Sequence, residues 1–70
     1  MTWDGCEEIE RIPGKMSGEP VIKGTRVLAD AIIANFESGS PVQEIAANYP
    51  HVPEKTIRKV ISYYQHQLVA

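Results

Sequence analysis

The chain has 70 residues, seven Lys and Arg against nine Asp and Glu, a formal charge of −2 and one cysteine. A chain this short forms one domain and buries only about 60% of the surface that its unfolded form exposes, so an enclosed active-site cleft is not expected and dimerisation or a partner is. Cys6 alone can form neither an intrachain disulfide nor a cysteine-rich zinc site, no apolar run approaches the about 18–20 residues of a membrane span, and Met1-Thr2-Trp3-Asp4-Gly5 does not read as a signal peptide. The expected setting is therefore the cytoplasm, without membrane contact.

In chain order, residues 1–27 read as an irregular extension with short strands, and residues 28–70 as three helices; together they make a single mainly α domain. Gly5, Gly14, Gly18, Gly24, Pro13 and Pro20 are too many breakers for a long helix in the first part. Ile9-Glu10-Arg11-Ile12 and Val21-Ile22-Lys23 carry β-branched residues between turn formers, with Pro13-Gly14 to Gly18 reversing the chain between them. An extended stretch is expected to continue through Gly24-Thr25-Arg26-Val27, with Gly24 as a bulge or a position of positive φ. Leu28, Ile32, Ile33 and Phe36 then form one helical stripe, which ends at Ser38-Gly39 with Gly39 as a left-handed cap. Ser40 as N-cap, Pro41 as first helical residue and Gln43 as the returning side chain start a second helix, whose Val42, Ile45 and Ala46 face the core. Tyr49-Pro50-His51-Val52-Pro53 breaks the chain. A third helix follows from about Pro53 to Leu68, with Ile57, Val60, Ile61, Tyr64 and Leu68 on one stripe.

Helix, short break, helix is the arrangement that carries a function. In a helix-turn-helix a small residue after a buried one lets the helices cross, and the second helix presents its early polar residues to base edges and phosphates. Ala46 and Thr56-Ile57 suit these roles, and Lys55, Arg58, Lys59, Ser62 and His66 occupy the face opposite the apolar stripe. Lys55, Arg58 and Lys59 against Glu54 give this last segment a local charge of +2. The DNA-binding set expected from the sequence is Lys55, Thr56, Arg58, Lys59 and Ser62; the competing reading is a solvated outer face.

Other constellations are weaker. Gly14-Lys15 lacks the first glycine and the Ser or Thr of a phosphate loop. His51 and His66 have no partners at metal-ligand spacing. Ser17, Ser38, Ser40 and Ser62 have no histidine and acid at recognisable spacing, and Cys6 reads as a small buried or half-exposed thiol. No cofactor, metal or catalytic residue is expected. Trp3 and Tyr63, the latter off the core stripe, read as candidates for a partner surface beside strand edges that need covering.

The segments Gly18-Glu19-Pro20-Val21-Ile22-Lys23-Gly24-Thr25-Arg26-Val27, Gly39-Ser40-Pro41-Val42-Gln43-Glu44-Ile45 and Tyr49-Pro50-His51-Val52 resemble a bacterial domain-of-unknown-function family grouped with VapB-type antitoxins. The resemblance runs from about Ile9 to Tyr64. It implies a homeodomain-like three-helix fold with a short β extension, a PIN-like ribonuclease toxin as partner, and no catalytic residues. Pro53 stands where that family commonly places a Thr cap. The resulting expectation is a dimeric antitoxin that binds its toxin and its own promoter DNA, with Arg26, Trp3 and Tyr63 at the partner surface. The alternative is a protein-interaction module with a vestigial helix-turn-helix and no DNA binding. For Arg26 both a contact to a partner or phosphate and an internal pairing with an acid are open.

Overall fold

The computed structural model describes residues 3–69; Met1, Thr2 and Ala70, which the sequence reading includes at the ends of the domain, lie outside the described residues. Strand β1 (Ile9–Glu10) pairs antiparallel with β2 (Val21–Ile22), Ile9 opposite Ile22 and Glu10 opposite Val21. Helices α1 (Ala29–Glu37), α2 (Val42–Asn48) and α3 (Glu54–Val69) follow, and each packs on the other two. No helix among the described residues is long and apolar enough to cross a membrane.

Both strands are shorter than the sequence suggests. Pro13 follows closely on Arg11-Ile12, and the link folds into a tight reversal through Gly14 at φ 83°, Met16 at φ 51° and Ser17 at φ 57°. Ile12 is left exposed, and the Arg11 guanidinium spans the neck by donating Nε–H to the Gly18 carbonyl at 3.0 Å.

Nor does extended chain continue from Lys23 to Val27. Gly24 takes φ 79°, and the Thr25 hydroxyl donates to the Ile22 carbonyl at 2.8 Å while accepting the Val27 N–H at 3.0 Å. These bonds close a tight turn, and Val21 and Leu28 then meet in an antiparallel bridge. The expected positive φ at Gly24 is present, but it serves a reversal.

Glu10 supports this turn from the neighbouring strand. Its Oε2 accepts the Gly24 N–H at 2.8 Å and lies 3.3 Å from Lys15 Nζ. The Gly24 N–H, and secondarily Lys15, hold the carboxyl below the usual carboxylate range. Because ionised Glu10 is favoured in the folded state, its contribution is present above the unfolded value of 4.5 and is lost as pH falls through the lower folded value. In urea titrations below that pH, Glu10→Gln is expected to flatten the acid-side loss of stability while lowering the midpoint at neutral pH; an unchanged acid limb would refute this role.

The end of α1 follows the sequence reading closely. Gly39, at φ 95°, donates to Phe36, and Ser40 donates to Asn35, the paired bonds of a Schellman cap. The start of α2 does not. Pro41, with ψ 156°, holds the N-cap position, no side chain caps it, and the helix begins at Val42. The Ser40 N–H closes α1, and the N-cap of α2 falls one residue later, on Pro41.

The core collects one stripe from each helix together with the sheet and the chain's start. Ile32, Ile45, Ile57 and Val60 are fully buried, ringed by Ile22, Ala29, Val52 and Ile61. Each such isoleucine contributes about 1.5–3 kcal/mol relative to exposure. Leu68, expected on the α3 stripe, is 62% exposed; among the described residues Tyr64 is the last α3 side chain packed against the core.

Candidate nucleic-acid interface

Helices α2 and α3 are joined by Tyr49–Pro53. Tyr49 leaves helical geometry at φ −129° and ψ 72°, as the following proline requires, and the Pro53 carbonyl accepts the N–H groups of Thr56 and Ile57 to start α3. Val52 is buried beneath the break and fixes it to the core. Val60, Ile61 and Ile57 face inward, which leaves Lys55, Arg58, Lys59 and Ser62 exposed along one outer face. Four of the five residues expected to bind DNA therefore share that face. Thr56 is half-buried and borders a shallow recess with Glu8, Thr25, His51 and Pro53, at the edge of the face.

The electrostatics of this face differ from its sequence count. Arg58 donates to Glu54, one turn earlier, at 2.6 Å. Lys59 Nζ lies 3.7 Å from Glu8 Oε2, and Glu7 and Glu8 line the same groove as Lys59, Ser62 and His66. Two carboxylates remote in sequence thus bring much of the local +2 back toward neutrality. Exposed pairs of this kind contribute about 0–1 kcal/mol each.

Trp3 and Tyr63, expected at a partner surface, are instead used within the chain. Their rings stack at 5.7 Å and 24°, Trp3 is 7% exposed, and the Gly5 N–H donates to the Tyr63 hydroxyl at 3.0 Å. The residue off the α3 stripe is the dock for the start of the chain. Cys6 is buried by the same docking, which pushes its thiol pKa up and keeps it protonated. Tyr64 donates its hydroxyl to Glu37 at the end of α1; that bond raises the phenol pKa and supplies a donor to an acid placed at the unfavourable end of the α1 dipole. Arg26 is exposed on the β2–α1 turn and forms no ion pair or hydrogen bond among the described residues, so the internal pairing with an acid, one of its two open readings, is not made. No group of three or more His, Cys, Asp or Glu among the described residues is placed to hold a metal ion.

A family model described as "Protein of unknown function (DUF433)" matches residues 9–64. The chain belongs to this family. A crystal structure of a DUF433 member from Anabaena variabilis ATCC 29413 is similar to it, with a TM-score of 0.71 and 29% identity over 84% of this chain and 58% of that one. The chain thus spans a little over half the length of that DUF433 protein. No match is found among curated proteins. The DUF433 match begins in β1 and ends at Tyr64, the same span that carries the sequence resemblance, and it includes the Gly24 turn, the α2–α3 break and the outer face of α3. Trp3 to Glu8, which supply the acids beside Lys59, precede it.

Proposed function

We propose that this protein is the antitoxin of a toxin–antitoxin pair, a homeodomain-like helix-turn-helix protein that binds a PIN-like ribonuclease toxin and, as a dimer, its own promoter DNA. The observation that carries the reading is the α2–break–α3 geometry, with Lys55, Arg58, Lys59 and Ser62 exposed on one face of the longest helix. A helix so placed enters a major groove with its first two turns at base edges and phosphates. Two copies in a dimer double this footprint, and Arg58 and Lys59 exchange Glu54 and Glu8 for phosphate on binding. The link to VapB-type antitoxins rests on the family resemblance.

Arg58→Ala and Lys59→Ala are each expected to weaken binding to a duplex from upstream of the protein's own gene. Each also lowers the salt dependence, by about one unit of slope per lost phosphate contact. Titrations by fluorescence anisotropy at several salt concentrations read both quantities. Unchanged binding in the two variants, or no salt-dependent binding by the wild type, sinks the DNA part of the proposal.

The Glu54–Arg58 and Glu8–Lys59 pairs favour a second reading, in which the helix-turn-helix is vestigial and the domain binds protein alone. Retention of a nuclease-like protein in a pull-down, with blank mobility shifts, would select it.

A further inference from the structure

An open groove of about 880 Å³ lies between the β2–α1 turn and the α2–α3 break, lined by Lys15, Gly24, Thr25, Arg26, Val27 and His51. Its lining holds two cations and an imidazole and no carboxylate. Glu10, the acid nearest to Lys15, is spent on the Gly24 N–H and on Lys15 itself. Arg26 is exposed with its guanidinium uncommitted among the described residues. The turn that presents it is already fixed by the two Thr25 bonds and the Glu10–Gly24 bond, so ordering Arg26 on a ligand costs little beyond its own side chain.

The groove adjoins the recess that borders Thr56 at the start of α3: the two share Thr25 and His51, and that recess is lined also by Lys23, Glu7 and Glu8. A duplex whose major groove receives α3 has a phosphate row along each side of that groove, about 12 Å apart.

We propose that this groove is a backbone clamp: Arg26, with Lys15 and His51 beside it, takes a phosphodiester of the strand flanking α3. The inference rests on the DNA-binding reading above and extends it to a surface outside the helix-turn-helix. Planar, uncommitted Arg26 makes the charge-assisted contact, Lys15, paired with Glu10, stands beside it, and His51 donates from the break.

The test compares wild type, Arg26→Ala and Arg26→Lys on a duplex carrying the sequence upstream of the protein's own gene. Anisotropy is followed across about 50–200 mM salt, and ethylation interference maps the phosphates. Arg26→Ala is expected to lower the salt slope by about one, so that its loss of affinity across this range is about threefold to fourfold smaller than that of wild type. Arg26→Lys keeps the slope, because the charge remains. Interference is lost at phosphates flanking the α3 footprint and at different positions from those lost in Lys55→Ala. If wild type binds with a salt slope that Arg26→Ala leaves unchanged, the clamp is wrong and the helix-turn-helix reading stands. Should wild type show no salt-dependent binding, both fall. Arg26→Ala releasing a nuclease-like partner while keeping the full phosphate map would overturn the clamp in favour of an acidic protein surface.

Discussion

Ile57→Ala is expected to lower the stability of the domain by about 2–5 kcal/mol, read as a fall in the urea midpoint by far-UV circular dichroism. Ile57 is fully buried at the first turn of α3, where the α2–α3 break, Ile45 and Val52 converge. Removing its branched chain leaves a void that three short helices cannot close without moving the break. Small domains start from about 5 kcal/mol, the low end of the usual range, so the variant is expected to be partly unfolded at ambient temperature. Ile57→Val, which removes one methyl group, should cost only about 0.5–1.5 kcal/mol and remain folded, which separates a cavity effect from general intolerance of the site. Equal stabilities for wild type and Ile57→Ala would show that α3 does not pack as described.

The second large effect is expected at Trp3. Trp3→Ala removes the stack on Tyr63 and the cover over Cys6, at a cost of about 3 kcal/mol, the low end for a buried tryptophan because the chain start can relax. Trp3→Phe keeps an aromatic face for Tyr63 and should recover most of the loss. Trp3 is the chain's only tryptophan, so wild-type fluorescence reports this docking directly. Its urea transition is expected to coincide with that of circular dichroism, since Trp3 joins the main core; a separate, earlier fluorescence transition would show that the segment docks independently. The consequence for function is electrostatic. Docking of Trp3 carries Glu7 and Glu8 to the side of α3, so loosening it frees Lys59.

Much of the architecture is legible in the local pattern. Three apolar stripes at helical spacing give three helices, Gly39 gives the Schellman cap, and Gly24 gives a positive φ, because each follows from residues within one or two turns of one another. The departures fall where one element meets the next. The N-cap of α2 falls on Pro41 and not Ser40, Gly24-Thr25 turns the chain because a hydroxyl bridges two backbone groups, and Leu68 is exposed beyond Tyr64, the last α3 side chain packed against the core among the described residues.

The candidate interface divides in the same way. From the sequence by itself came the stripe of α3, and with it the opposite face holding Lys55, Arg58, Lys59 and Ser62, since an apolar period of 3.6 residues fixes where the remaining side chains stand. Membership of the family also lay in the chain, whose residues 9–64 match the family model. Only the tertiary structure decided what surrounds those charges. It placed Glu8 against Lys59 across more than fifty positions, stacked Trp3 on Tyr63 inside the chain, and left Arg26 uncommitted in a groove beside Lys15 and His51. Charge interactions depend on distance in space and on exposure, and residues far apart in sequence meet only once the core has formed.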